Sequence, residues 1–469
     1  MMSRPGCHTL VMLCSCFVMS GCNLAPKYFA PKVSLPAEFK TQGPWRTAKP
    51  SDEGARGAWW ALFGDSRLGA LMKQAEAGSP TLELALHRVT EAKALARADR
   101  AGLFPSATLT GSAQRSRGSG NLQFQFAGGR TRTLLGASLD LDYELDFWGR
   151  VRNQGRAGVA RAEAQEADYH NVLLGLQSEL ALNYFAIRAQ DAQIALLNRT
   201  VALRKRTVDL ARTRFEQGDI AQIDVAQAET DLASTQAEAI GLEKRRAELE
   251  HAIALLLGTT PAEFSLPPKA LGAAPPKIPS SVPSDLLERR PDIAAAERQM
   301  AALNAEIGVA KAALFPSLSI GLTGGTQSSY LWKLADAPSR VWGLGPANVD
   351  WPLLRGGGIR AGIDAAAARY DQAAATYKST VLGAMRDAED ALSGLSVLER
   401  QAAAQAATVA SATKALELSE KRYESGLVAY YEVLDGQRTL LRAEQEATRI
   451  LGERHLTAVL LVKALGGGW

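Results

Sequence analysis

Apolar residues recur three, four or seven positions apart through the long middle of each half of this chain. In the short stretches between, they recur two apart. Leu173, Leu176, Leu180, Tyr184, Ile187, Ile194, Leu197 and Val201 form one such seam, the spacing of a coiled coil. It sits in a run from Arg150 to about Phe215 built of Ala, Leu, Glu, Gln and Arg, strong helix formers. At about 1.5 Å per residue this helix approaches about 100 Å. Gly218 interrupts the pattern and a second run from about Ile223 to Leu257 carries it back, which predicts an antiparallel helical hairpin. The second half repeats the arrangement around Gly426.

Period two appears from Leu135 to Phe147, where Leu135, Ala137, Leu139, Leu141, Tyr143, Leu145 and Phe147 interleave with Gly136, Ser138, Asp140, Asp142, Glu144 and Asp146. This alternation predicts a strand with one apolar and one strongly polar face. Ser317, Ser319, Gly321 and Thr323 against Leu318, Ile320 and Leu322 read the same way, and 106–112 and 341–351 are weaker candidates. A surface hairpin packed on helices would also alternate. Four carboxylates opposite aliphatic and aromatic residues fit better with a membrane barrel, lipid outside and water inside. Asp140, Asp142, Glu144 and Asp146 then line the lumen; spread along a strand, they do not converge for acid catalysis or calcium binding. Two strands per half make four per chain, whereas the smallest membrane barrels need about eight. An open sheet would leave unpaired edges in lipid, each backbone group costing several kcal/mol, so several copies must close the barrel in a ring.

The two halves match in register. Phe104-Pro105-Ser106 answers Phe315-Pro316-Ser317, an offset of 315 − 104 = 211. Arg214-Phe215-Glu216-Gln217-Gly218 answers Arg422-Tyr423-Glu424-Ser425-Gly426, where 426 − 218 = 208. Such similarity indicates a tandem duplication, and the three lost residues fall in the strand-rich stretch, where loops tolerate change. Proline punctuates the same map: none lies between Pro105 and Pro261 or after Pro352, while eight crowd Pro261 to Pro291. Proline breaks a helix interior at a cost of about 3 kcal/mol. The expected division is a leader at 1–21, an extended segment at 22–60, a first repeat at 61–258, a proline-rich linker at 259–290 and a second repeat at 291–469.

The leader bears on where the protein works. Arg4, the apolar run 9–19 and Ser20-Gly21-Cys22 have the layout of a secretory signal, too short for a permanent span of about 20 residues. The small-small-Cys ending resembles a bacterial lipobox with Cys22 as the acylated residue, although Met19 replaces the usual Leu, and Asn23 is not the Asp associated with inner-membrane retention. An ordinary signal peptide that merely contains cysteines is the alternative. Cys7, Cys14 and Cys16 leave with the leader, so the mature chain keeps only Cys22, and an acylated Cys22 can neither form a disulfide nor bind zinc. His87, His170, His251 and His455 are isolated among helix formers without metal-ligand spacing. With 53 basic and 49 acidic residues and no block of like charge, nothing reads as a nucleic-acid surface.

Several phrases together resemble the outer-membrane factors, the TolC-like exit ducts of tripartite efflux pumps and type I secretion systems. They are Arg290-Pro291-Asp292-Ile293 through Ala296-Glu297-Arg298, Ile307-Gly308, Ala313-Leu314-Phe315-Pro316-Ser317, Trp59-Trp60 with Phe63-Gly64-Asp65 and Leu68, and Arg422-Tyr423-Glu424-Ser425-Gly426-Leu427-Val428. With the lipobox, the branch it looks most like is the lipid-anchored OprM/NodT-type efflux lipoproteins. The resemblance implies a mainly α fold with a small β contribution: a homotrimer in outer-membrane lipid, whose 12-stranded barrel takes four strands per chain and continues into a tunnel of coiled helices. It also implies docking of a periplasmic adaptor and an inner-membrane pump at the hairpin tips, here Gly218, Asp219 and Ile220 with Gly426, Leu427 and Val428. Glu432 and Asp435 match an acidic ring that narrows the aperture, and Asp224 an acidic position some members use in a gating bridge. Val428 stands where some members carry the gating arginine, so the bridge lacks its usual cation.

Read from the residues alone, Gly218 and Gly426 are also simple turn glycines, and Glu432 and Asp435 could be ordinary solvated helix charges. The function expected is a passive outer-membrane exit duct for drugs or other small molecules, without catalysis, cofactor or metal, since nothing resembles a phosphate-binding loop or redox site. A lipid-anchored periplasmic coiled-coil adaptor or scaffold is the alternative; it would not need two repeats with amphipathic strand pairs. A hydrolase has least support.

Overall fold

The computed structural model describes residues 23–29, 57–119, 131–278 and 289–467. Cys22 lies outside them. After one additional helix at the start, the eight-residue and longer elements follow one order twice among the described residues. A short 3-10 turn at Trp59–Phe63 leads into α1 (Ser66–Gly78) and α2 (Pro80–Ala101), then β1 (Ser106–Arg117), β2 (Thr131–Leu145), α3 (Arg150–Glu216) and α4 (Gln222–Leu256). The second series is α5 (Pro291–Ala312), β3 (Ser317–Ser328), β4 (Arg340–Asp350), α6 (Gly358–Glu424) and α7 (Tyr430–Ala464). Lengths match across the series: 22 residues in α2 and α5, 67 in α3 and α6, 35 in α4 and α7. α2 and α5 both open on proline, which is pre-set for the first helical position. Among the described residues no helix is long and apolar enough to cross a membrane.

The fold is mainly helical with one antiparallel sheet in the order β1-β2-β3-β4. Ser106 pairs with Asp142 and Arg117 with Thr131; Leu135 pairs with Ser328 and Leu145 with Leu318; Ser317 pairs with Asp350, with an irregularity between Ile320 and Leu322. β1 and β2 are longer toward their connecting hairpin than alternation alone suggested. Strand pairing continues through Gln114–Leu134 and Ser116–Arg132, where the apolar-polar pattern has lapsed but the ladder still satisfies the backbone. β2 stops at Leu145, short of the expected Phe147, because the next carboxylate is used to start α3.

The chain divides into two compact units. The first, residues 1–32, 88–166 and 295–377, holds the sheet and the helix segments that lead into it. There the segment 23–29 lies along α5: Asn304 Nδ2 donates to Pro26 O at 2.9 Å and the Tyr28 hydroxyl donates to Glu297 Oε1 at 2.5 Å. Gly308 makes this approach possible, since a Cβ there would sit 2.8 Å from the backbone nitrogen of Ala25. Burial and the neighbouring Glu297 both push the Tyr28 phenol up, so it stays a donor.

The second unit, residues 33–87, 167–294 and 378–469, contains the main apolar core: Trp59, Trp60, Leu68, Leu71, Met72, Leu180, Tyr184, Ile187, Ile253, Leu257, Val459 and Val462. Asp65 ties it together, accepting from the N–H of Arg67 and Leu68 at the start of α1 and from the Tyr184 hydroxyl at 2.8 Å. Burial, countered mainly by Arg188 and reinforced by Asp65, pushes the Tyr184 phenol up to about 12. The start of the proline-rich segment has no strand or helix partners for its backbone, and side chains supply them. Arg188 and Arg246 donate to the carbonyls of Pro267 and Leu266, while Asp191 and Glu250 accept from the N–H of Lys269 and Leu266. Buried polar backbone is thereby satisfied.

Candidate functional site

Cross-strand partners lie on the same face of a sheet, so the register sorts every strand residue. One face carries Ala107, Leu109 and Ala113 of β1; Leu135, Ala137, Leu139, Leu141, Tyr143 and Leu145 of β2; Leu318, Ile320 and Leu322 of β3; and Trp342, Leu344, Ala347 and Val349 of β4. The other carries Ser106, Thr108, Thr110, Ser112, Ser138, Asp140, Asp142, Glu144, Ser319, Thr323, Asn348 and Asp350, with Leu134 and Val341 the exceptions. Among the described residues no layer covers the apolar side: Trp342 is 85% exposed, Leu109 78% and Leu344 76%. The outer edges of β1 and β4 have no strand partner within the described chain.

The polar face is organised by its carboxylates. Asp140 accepts from the hydroxyls of Thr323 at 2.7 Å and Ser138 at 2.9 Å, which fixes its side chain across β2 and β3. Glu144 receives Arg150 Nε at 2.8 Å, a partly exposed pair at the helix end of the strand. Asp142 lies opposite Gly321. Asp146 differs from the other three. It lies beyond β2 and caps α3, accepting from the N–H of Val151 at 3.1 Å and Arg152 at 2.8 Å, with Arg152 Nε also on its carboxylate. A carboxylate there satisfies free N–H groups of the first turn and complements the helix dipole. Sequence alternation placed it in the wall; local backbone geometry places it in a cap.

The hairpin tips are two near-copies. Gly218 has φ +82 and Gly426 φ +68, the left-handed conformation that glycine enters without a Cβ penalty. The N–H of Asp219 bonds Arg214 O and that of Leu427 bonds Arg422 O, both at 2.9 Å, so each turn closes its own helix. Asp219 and Leu427 are exposed, Ile220 and Val428 half-buried. Asp224 accepts from the Ala221 N–H at 3.2 Å, capping α4. Glu432 holds the matching first-turn position of α7 and pairs with Arg422 at 3.6 Å, both exposed. Asp435 is exposed one turn further. Among the described residues no cluster of His, Cys, Asp or Glu could hold a metal.

A group that sequence reasoning passed over lies further from the tips. Arg438 of α7 grips Asp231 of α4, Nη2 to Oδ1 at 2.8 Å and Nε to Oδ2 at 3.1 Å. Arg204 of α3 is buried beside them and donates to Asp231 O at 2.7 Å and to the Thr235 hydroxyl. Donating to the Asp231 carboxylate raises the Arg438 guanidinium, and the charge of Asp435 adds to this. Burial pulls Arg204 down against the attraction of Asp231. Only Arg204 left a trace in the sequence, as a charge on an otherwise apolar helix face, and its partners are not its neighbours in the chain.

Comparison with known proteins agrees with this architecture along nearly its whole length. The family model for outer membrane efflux proteins matches residues 71–259 and 282–467. The chain belongs to the outer membrane efflux protein family. The antibiotic efflux pump outer membrane protein ArpC of Pseudomonas putida is 30% identical over 98% of this chain and 95% of its own length. The cation efflux system protein CusC of Escherichia coli is 29% identical over 98% of each. Among solved structures, the outer-membrane channel OprN superposes with a TM-score of 0.88 at 29% identity, covering 96% of this chain and 100% of that one. This efflux protein is accordingly an outer-membrane channel component of an efflux system.

Proposed function

We propose that three copies of this efflux protein close a 12-stranded barrel, four strands each, that continues into a helical duct and passively conducts small molecules out of the cell. The observation that carries this is the two-faced sheet with two unpaired edges: an uncovered apolar face suits hydrocarbon, a carboxylate-bearing face suits water, and edges in lipid must be paired. Asp140, Asp142 and Glu144 would line the lumen. Energy comes from elsewhere, an inner-membrane pump reached through a periplasmic adaptor that docks on Gly218, Asp219, Ile220, Gly426, Leu427 and Val428. The named cargoes of relatives, antibiotics and cations, support small solutes as the substrate class. Cys22 would carry a lipid anchor, additional to the barrel's own membrane burial.

Glu432 and Asp435 from three copies would set six carboxylates around one axis, with Asp224 beside the other tip. Fixed charge in a constriction selects cations, and wider regions are screened over about 8 Å at physiological salt. Planar-bilayer recording of the purified full chain tests both levels. Stepwise, cation-selective conductance is expected, and Glu432→Ala with Asp435→Ala should weaken selectivity and divalent block. A protein that inserts without conducting refutes the duct. Unchanged reversal potentials in the double variant would leave the duct intact and remove these two residues from the aperture.

A further inference from the structure

The apolar face of the sheet carries no acidic residue, and its three charged residues are all arginines gathered at one end. Arg115 and Arg117 close β1 in register with Thr133 and Thr131, and Arg340 opens β4 opposite Thr326. All three share the face of Leu109, Leu139 and Trp342, since residues two apart in a strand point the same way. They lie toward the two hairpin connections, at the end remote from the helices. All three are exposed, and no ion pair of theirs is found among the described residues. The described connection beside Arg340 is aromatic. Residues 118–130 contain no Asp or Glu, and 329–339 contain only Asp336 against Lys333. Tyr330 and Trp332 stand exposed there with ring centroids 5.0 Å apart, the kind of aromatic pair found at membrane interfaces. The opposite face is reversed in sign: Asp140, Asp142, Glu144 and Asp350 with Arg132 the one cation.

A guanidinium facing hydrocarbon is costly, so arginines on this face belong at the level of lipid headgroups and need an anion there. We infer that Arg115, Arg117 and Arg340 form a rim that binds the phosphate groups of membrane glycolipid in the leaflet reached by the hairpin ends. Arg115 and Arg117 are about 7 Å apart along the strand, close enough for both to reach one phosphate. A phosphate monoester carries about −1.5 to −2 charge near neutral pH and can accept from two guanidinium forks at once. A phosphodiester headgroup brings only one negative charge and leaves the second arginine without a matching charge. The partner chemistry is therefore a lipid bearing phosphate monoesters. The rim acts as a leaflet-specific collar: the other end of the same face, at Tyr143, Leu145, Leu318 and Val349, has no cation to offer.

This inference rests on the membrane reading of the sheet, and the test separates the two. The full-length protein is reconstituted into phosphatidylethanolamine vesicles containing bisphosphorylated lipid A, dephosphorylated lipid A or phosphatidylglycerol. Resistance to carbonate extraction reports insertion, and lipid retained after detergent purification is quantified by native mass spectrometry. The wild type should retain bisphosphorylated lipid A on the order of tenfold more than either other lipid, the factor one strong charged contact supplies. Arg115→Gln/Arg117→Gln/Arg340→Gln should lose that preference while still inserting, and Arg132→Gln, at the same end but on the other face, should keep it. Equal retention of all three lipids by the wild type, or an unchanged preference in the triple variant, overturns the rim. Failure of the wild type to insert would overturn the membrane reading and the rim with it.

Discussion

The two repeats share their helix lengths residue for residue, yet they fill the same backbone with different chemistry. In the first hairpin the interior beyond the tip is polar: Arg204, Asp231 and Thr235 are buried and hydrogen-bonded. The positions 208 residues on are Ala412, Thr439 and Ala443, and the second hairpin contributes Leu416, Tyr430, Val433 and Leu434 to an apolar cluster that also takes in Val208 and Ala228 of the first. The strands divide similarly, with three carboxylates on β2 but one carboxylate and an exposed tryptophan, Trp342, on β4. Duplication fixed the element lengths, while each copy's environment decided its side chains. The Arg438 to Asp231 contact shows why this matters. It joins the second repeat to the first in one direction only, and Thr230, which stands 208 residues before Arg438, bonds its own helix at Ala226 O.

The largest expected effect tests whether both strand pairs face the same medium. Leu139→Arg in the first repeat and Leu344→Arg in the second should each destabilise the vesicle-inserted protein by about 2–4 kcal/mol, as for cations near a bilayer midplane. Urea titration in vesicles measures this, and a large effect in one repeat alone would break the equivalence of the two. Next comes the asymmetry of the hairpins. Asp231→Ala leaves Arg438 without its carboxylate acceptor and takes the negative charge away from buried Arg204, whose bond to the carbonyl at 231 remains; it should cost about 2 kcal/mol, below the range for fully buried pairs because Arg438 is partly exposed. The matched Thr439→Ala should stay within about 0.5 kcal/mol, and equal costs would show that the polar interior of the first hairpin is not what distinguishes it.

The tips should respond alike. Gly218→Ala and Gly426→Ala meet no neighbouring atom, so each cost is backbone strain alone, about 1–2 kcal/mol for the left-handed conformation; thermal midpoints of the two variants should fall together. The smallest effect is a pH term found in the second repeat only. His455 is buried against Phe185, and burial lowers its folded pKa, with the Leu451 carbonyl opposing. A depressed histidine keeps full stability above its unfolded value of about 6.5 and loses it as pH falls toward the folded value, because the unfolded chain takes the proton first. His455→Phe should flatten that decline below about pH 6.5, read from urea midpoints across the range. A decline that persists unchanged would place its origin elsewhere.

Periodicity and punctuation by themselves determined the helical hairpins, their reversal at Gly218 and Gly426, the duplication, and the two-faced character of β2, because each depends on residues within a few turns or a few strand positions. Only the tertiary structure decided three further points. Asp146 became a cap because β2 ended one residue earlier and exposed the N–H groups of α3. Residues 23–29 docked on α5 because Gly308 leaves room for Ala25. Arg438 found Asp231 across 207 positions. In each case the partner is distant in sequence or set by where a strand stops, and a local pattern of hydrophobic and polar residues carries no record of such pairings until the chain has packed.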